Sequence, residues 1–464
     1  MLDADDQAER PSGALARLKL LRHLPRELWL VYALKILESY AYFASSLSLT
    51  VYLTDSPDLA FSDLEAGAVY SAWGVVSGLV GMATGPCIDK LGVRRSLLIG
   101  GTLLAAGRIL FAAATTRPQV YVSLFFLQSI GMNLAIPVLS IAIRRVTSHR
   151  TQTAAYGIFY SAMNLAAFAA GMTTDAIRAS AEGGQQQALR IVFASTAVAS
   201  VLYTALAAAA FRETPPSNAV VLEELLDTGS GDEEQCGKKE TSWQQFRRET
   251  AETGRDPVFW RLVAFSGVIF GARTIFRHMD ATLPKWMQRE IGPNAKYGTV
   301  YSINPAIIVF AVPLVQAVLA EYDPYECIIA GTSLTAFAPL ILTFAKPSYV
   351  AAIAFMVMVS AGEATYSPRL YEYAMVLAPP GREGMYGTLA AAPLFFVKMI
   401  VGTMGGELLG VYCPKTGPRE CQTMWGIIAA TAATTPVGLV CARRFLYNDA
   451  VKERVRAVGQ GAPR

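Results

Sequence analysis

The residue of this sequence best placed to do chemistry is a carboxylate inside an apolar run. Glu363 lies in the middle of VMVSAGEATYSPRLYEYAMVLAP, Val357 to Pro379. An ionised side chain at a bilayer midplane costs roughly 2.5–3.5 kcal/mol on insertion scales, so it persists mainly against a partner or a water-filled path. Pro368 follows five residues later and removes a backbone hydrogen bond from the helix interior, which predicts a bend near the level of the acid. An acid beside a bend suits a moving part.

Other charges share this setting. Lys35, Glu38 and Tyr42 are spaced i, i+3 and i+7, which puts them on one helix face, where Lys35 and Glu38 can also simply neutralise each other. Tyr156, Tyr160 and Asn164 recur every four residues as a polar stripe that fits helix packing or ligand contact equally well. Arg108 is expected against the bundle. Arg273, Arg277 and Asp280 stack on one face beside His278, and snorkelling near a helix end makes Arg277 and Asp280 weaker candidates than Arg273. Lys398 lies deep in its run, with Glu407 towards the outer end. Enzyme chemistry finds no foothold: His23, His149 and His278 are scattered, with no metal spacing, phosphate loop or nucleophile elbow.

The elements that must carry these groups follow from composition. The 464 residues are 53% hydrophobic and 16% charged, far from the roughly 25% charged of a soluble chain. A bilayer core needs about 20 apolar residues per helix. Runs of that kind are predicted at Leu28–Leu53, Leu64–Met82, Leu97–Thr115, Tyr121–Val146, Ala154–Asp175 and Leu189–Phe211. A second set lies at Phe259–Leu283, Tyr301–Leu319, Cys327–Phe344, Val357–Pro379, Thr388–Leu409 and Met424–Leu446. The expectation is an all-α membrane protein of twelve transmembrane helices in two six-helix halves.

The segments are a basic N-terminus at 1–26, a first half at 27–211, a linker at 212–257, a second half at 258–447 and a tail at 448–464. Acids from Glu223 to Glu234 keep the linker from burying much, while Trp243 to Glu252, with Arg247 and Arg248, suits a short interfacial helix. Arg17, Lys19, Arg22 and Arg26 read as a juxtamembrane anchor and not as a cleavable leader. The net charge of +4 comes from basic residues in alternate loops, which places both termini in the cytosol and argues against a nucleic-acid partner. Either a plasma or an organelle membrane fits. Of six cysteines, Cys413 and Cys421 share a loop on the far side, where a disulfide or two free thiols both fit.

One joint is sharper than the rest. Gly85, Asp89, Lys90, Gly92, Arg94 and Arg95 in GPCIDKLGVRR match the G-x3-D-[RK]-x-G-x-[RK]-[RK] pattern, and the chain resembles the major facilitator superfamily there. That resemblance implies a tight gating turn between helices 2 and 3, with Asp89 facing the start of helix 11. An internal repeat agrees: Gly131-x5-Pro137-x-Leu139 and Tyr156-Gly157 are echoed by Gly362-x5-Pro368-x-Leu370 and Tyr386-Gly387, and IGGT at Ile99 by IAGT at Ile329.

Within that superfamily, FYSAMNLAAF from Phe159, SINPAIIVFAVP from Ser302, and Glu363-x3-Ser367-Pro368 with Leu377-Ala378-Pro379 resemble the proton-coupled oligopeptide transporter family. The resemblance implies that Glu363 stands where a peptide amino terminus is contacted, Asn164 where a polar ligand is met, and Tyr42 on the cavity wall. Two departures bear on coupling: the family's E-x-x-E-R is here Lys35-x-x-Glu38-Ser39, and its helix 4 lysine is Ile136. Glu363 then needs another cation, and Lys35, Arg273 or Lys398 is expected within salt-bridge reach. The function expected is a monomeric secondary carrier of a small polar or anionic solute (peptide, amino acid, organic anion or nitrate) by alternating access. Glu363 or Glu38 would carry a coupled proton, and no cofactor or metal is expected. The alternatives are an uncoupled facilitative carrier and a non-transporting sensor or scaffold.

Overall fold

The structure is a computed structural model that describes residues 26–147, 149–211, 255, 257–377, 393–449 and 451–453. Twelve long helices run through these residues. The first six are α1 (Arg26–Asp55), α2 (Asp63–Leu91), α3 (Val93–Ala112), α4 (Arg117–Val146), α5 (His149–Ser180) and α6 (Gly184–Ala210). The second six are α7 (Pro257–Ala281), α8 (Tyr297–Val318), α9 (Pro324–Phe344), α10 (Tyr349–Leu377), α11 (Pro393–Tyr412) and α12 (Cys421–Cys441). A short helix, Leu283–Glu290, bridges α7 and α8. Eight of the long helices are long and apolar enough to cross a membrane by themselves. Large apolar side chains stand bare on the rim, with Phe310 79% and Phe344 81% exposed, which water would not tolerate and lipid would.

Local chemistry starts and stops the helices. Ser62 caps α2 in a reciprocal box, accepting from the Glu65 N–H at 3.2 Å while the Glu65 carboxylate accepts from the Ser62 N–H at 2.8 Å. Asp323 caps α9 and accepts from the Tyr325 N–H at 2.9 Å. α4 contains a π-helical run, Val122–Gln128. The helix predicted to stop at Met82 continues to Leu91, so the expected tight turn reduces to one residue, Gly92 at φ 76°, a conformation that favours glycine. From there Arg94 reaches across to the Phe211 carbonyl at 3.0 Å, tying α3 to the end of α6. Lys90 and Arg95 are exposed. The environment of Gly85, the side chain of Asp89, the start of helix 11 that Asp89 was expected to face, the N-terminal basic patch, nearly all of the linker, and Tyr386-Gly387 lie outside the described residues.

The repeat is visible as geometry. A Cβ on Gly131 would sit 2.8 Å from the Gly100 carbonyl, and one on Gly362 would sit 2.6 Å from the Gly331 carbonyl, so α3 and α4 cross at touching backbones as α9 and α10 do. Gly131 and Gly362 correspond as the repeat predicts. The partner glycines correspond one residue away from the IGGT/IAGT alignment, as Gly100 and Gly331.

The halves meet where side chains are smallest. A Cβ on Gly171 of α5 would lie 2.3 Å from the Gly298 carbonyl of α8, and one on Gly67 of α2 would lie 2.1 Å from the Gly402 carbonyl of α11. On the face opposite the Gly92 turn, Asp63 pairs with Lys285 at 2.8 Å and Arg289 at 2.7 Å, and Asp55 pairs with Lys415 at 2.9 Å. Arg178 of α5 adds the carbonyls of Ala295 at 2.8 Å and Pro293 at 3.0 Å. Cys413 and Cys421 are disulfide-bonded on that face, and Arg289 donates to the Cys413 carbonyl at 2.5 Å. Among the described residues, every ion pair joining the halves lies there. That face is closed.

Candidate functional site

Below that closed face, one carboxylate binds both halves. Asp280 of α7, 3% exposed, accepts from the Ser46 hydroxyl of α1 at 2.6 Å and from the Tyr70 hydroxyl of α2 at 3.0 Å. Its own helix supplies Arg277 at 3.2 Å, and Arg277 also donates to the Tyr42 hydroxyl of α1 at 3.4 Å. The i, i+3 spacing of Arg277 and Asp280 turns both to the seam. A carboxylate can accept at both oxygens, and charge-assisted hydrogen bonds are roughly twice as strong as neutral ones.

Lys398 of α11 completes this cluster without an acid of its own. Its ammonium lies 3.3 Å from the centre of the Trp73 ring, 4.6 Å from that of Tyr70 and 5.8 Å from that of Tyr42, an aromatic box contributed by the first half. Gly74 makes the room: a Cβ there would lie 3.0 Å from three carbons of the lysine stem. Just beside it, the Ser71 hydroxyl donates to the Met399 carbonyl at 2.5 Å and accepts from the Thr403 N–H at 2.9 Å, fastening α2 to α11.

The second cluster surrounds Glu363. Its carboxylate accepts from Asn304 of α8 at 2.9 Å, and Asn304 also donates to Ser360 at 3.1 Å. The expected salt bridge is not formed: among the described residues, neither Lys35, Arg273 nor Lys398 pairs with Glu363. Lys35 is held by Glu38 at 3.1 Å on its own helix, and Lys398 is held in its box. Arg273 acts on Glu363 only through its field and lies over the Tyr366 ring at 5.3 Å. Tyr160 of α5, on the opposite half, lies within electrostatic reach of the same acid. Asn164 turns back to the Tyr160 carbonyl at 2.9 Å and so serves its own helix. Between the clusters stands Tyr301 of α8, within the fields of both Asp280 and Glu363. Pro368 lies inside α10, five residues beyond Glu363.

Away from the seam, Arg108 is buried in the first bundle and donates to Ser200 of α6 at 2.5 Å, as expected of a bundle-facing arginine. Sequence reasoning ranked Asp280 low because position along a helix stood in for depth. The α7 helix ends at Ala281, yet Leu283–Glu290 covers that end, so Asp280 is enclosed and cannot snorkel. Ser46, Tyr70 and Trp73 went unnoticed because their types are ordinary in any membrane helix, and Asn304 was noted within SINPAIIVFAVP but not as the partner of Glu363. The i, i+4, i+7 stripe of Arg273, Arg277 and Asp280 was the one signal pointing there.

A family model described as Major Facilitator Superfamily matches residues 34–403. Among solved structures, the chain is similar to a POT family transporter in complex with 5-aminolevulinic acid, at TM-score 0.70 and 15% identity over 91% of this chain and 97% of that one. It is also similar to the peptide transporter POT in complex with sulfate, at TM-score 0.69 and 17% identity over 93% and 98% of the two chains. A mutant of the nucleoside transporter NupG superposes at TM-score 0.69 and 13% identity over 90% and 99%.

Proposed function

Because the chain belongs to the major facilitator superfamily, we propose that it is a secondary carrier moving a small polar or anionic solute by alternating access, with the Asp280 cluster as the joint that opens and closes. The observation carrying this reading is that Asp280 of the second half accepts from Ser46 and Tyr70 of the first. Opening the closed face must break both bonds together with the Asp63 and Asp55 ion pairs above them. A proton on Asp280 removes its charge and with it the charge-assisted part of those bonds, which lowers the cost of parting the halves. That links proton occupancy to conformation and favours Asp280, which bonds across the seam, over Glu38, whose bonds to Lys35 and Ser39 stay within its own helix. The basic turn at Gly92 is taken as cytosolic, so the state described is closed to the outside.

The fitting test is a proteoliposome flux screen over short peptides, amino acids, organic anions and nitrate, with and without an imposed proton gradient. Accumulation driven by the gradient and lost in Asp280→Asn supports a coupled carrier. Flux that ignores the gradient selects an uncoupled carrier, and binding without flux selects a sensor.

A further inference from the structure

Arg273 is a buried cation left without a bond. It is 5% exposed, its Nη2 is enclosed with no acceptor, and no hydrogen bond or ion pair joins it to any described residue. Only ring contacts support it, with Tyr366 at 5.3 Å and Phe276 at 6.0 Å. An unpaired buried guanidinium is among the most costly arrangements a fold can keep, because its desolvation goes uncompensated. The other interior charges are already matched: Arg277 by Asp280, Lys35 by Glu38, and Lys398 by three aromatic rings. Among these interior cations of the described residues Arg273 is the least compensated, its nearest ring centre lying at 5.3 Å against 3.3 Å for Lys398.

Its surroundings describe the partner it would take. The Tyr366 hydroxyl, on the ring next to the guanidinium, is also buried without a partner, so a second donor is unspent in the same place. Tyr160 of α5 and Tyr371 of α10 lie within electrostatic reach of Arg273, one on each half. Glu363 is the natural competitor for Arg273, but Asn304 at 2.9 Å holds it off, with Ser360 steadying the amide at 3.1 Å. A planar fork of donors with a phenol beside it matches a carboxylate. A fixed acid close by in a low-dielectric site repels any second negative charge.

We propose that Arg273, with the Tyr366 hydroxyl, seats the carboxylate of the transported solute, and that Glu363 restricts the solute to a single carboxylate. This rests on the carrier reading and narrows its substrate class to organic monocarboxylates. Asn304 acts here as a positioning residue, since it keeps Glu363 from quenching Arg273.

The test uses the full chain in nanodiscs and follows its melting temperature against ligand concentration. The probes are monocarboxylates from acetate to phenylpropionate, each with its amide and its dicarboxylate counterpart. At least one monocarboxylate is expected to protect the protein where its amide and its dicarboxylate do not. Arg273→Gln should weaken that apparent affinity roughly tenfold or more, Arg273→Lys should recover part of it, and Tyr366→Phe should weaken it several-fold. Glu363→Gln should let the dicarboxylate protect as well, a gain that a purely structural role for either residue would not produce. The inference is overturned if no monocarboxylate protects, if amides protect as well as acids, or if Glu363→Gln leaves dicarboxylates excluded. The flux screen separates the two failures. Flux of some other solute class, indifferent to Arg273→Lys, leaves a carrier without this site, whereas no flux of any solute removes the carrier itself.

Discussion

The Tyr70 hydroxyl of α2 donates across the seam to Asp280 of α7 at 3.0 Å, so one carboxylate of the second half is bound by a phenol of the first. Losing a hydrogen bond to a charged acceptor costs about 1.5–3 kcal/mol. Tyr70→Phe should therefore shift the balance towards the state in which the closed face has opened by roughly tenfold or more. Thiol labelling of a cysteine placed at Leu47, which packs with Ile275 and Met279 of the second half, reads this directly, and unchanged labelling between the Leu47→Cys protein and its Tyr70→Phe derivative would remove Tyr70 from the joint.

Asp280→Asn keeps the shape of the acceptor and abolishes its charge. Flux driven by a proton gradient should disappear while exchange of solute without a gradient persists. Counterflow and gradient-driven uptake measured side by side check this; loss of both together would assign Asp280 to folding or binding instead.

The closed face depends on backbones that touch. A Cβ on Gly298 would meet the Gly171 carbonyl at 2.2 Å, an overlap that backbone cannot yield cheaply, whereas a Cβ on Gly157 has nothing within 4 Å. Gly298→Ala should hold the halves apart on that face and Gly157→Ala should not. The readout is cross-linking between cysteines introduced at Asp55 and Lys415, whose side chains pair at 2.9 Å. Equal cross-linking in both variants would contradict the close-approach argument.

Lys285 lies in the short helix outside the spans, where burial pushes its ammonium down to about 8 although Asp63 beside it pulls upward. Its unfolded value is near 10.5, so between about 8 and 10.5 the unfolded chain binds the extra proton and stability should rise with pH. Below about 8 both states are protonated and this contribution to the slope vanishes. Melting curves of wild type and Lys285→Met over this range should diverge, with only the wild type gaining; parallel curves would show that the lysine is not buried.

The Cys413–Cys421 bridge closes a short loop whose Cys413 carbonyl accepts from Arg289, the residue that also grips Asp63. Chain-entropy reasoning gives a loop of this size about 2–3 kcal/mol. Reduction should lower the melting temperature and raise the labelling of the closed face; a reduced protein with unchanged labelling would separate the bridge from the gate.

The fold was legible because helix length and apolar runs are properties of each segment alone, and the Gly131/Gly362 repeat fixed how segments correspond. The site was legible only as a set of charges. Partner choice was not, because it depends on which helix crosses which. Glu363 was matched to a distant cation when an uncharged neighbour, Asn304, holds it. Asp280 was placed at an interface because the predicted helix ended at Leu283, three residues on, and nothing in the sequence showed that Leu283–Glu290 would fold over that end.

Cross-linking the closed face and measuring transport tests the account most directly. A cysteine pair at Asp55 and Lys415 joined by a bismaleimide holds the two halves together at the face closed here, without requiring any residue of the Asp280 cluster to change. Solute flux in proteoliposomes should fall to background in proportion to cross-linked protein. Full cross-linking with undiminished flux would mean that this face need not open, and rocking of the halves about Asp280 would not be how this protein works.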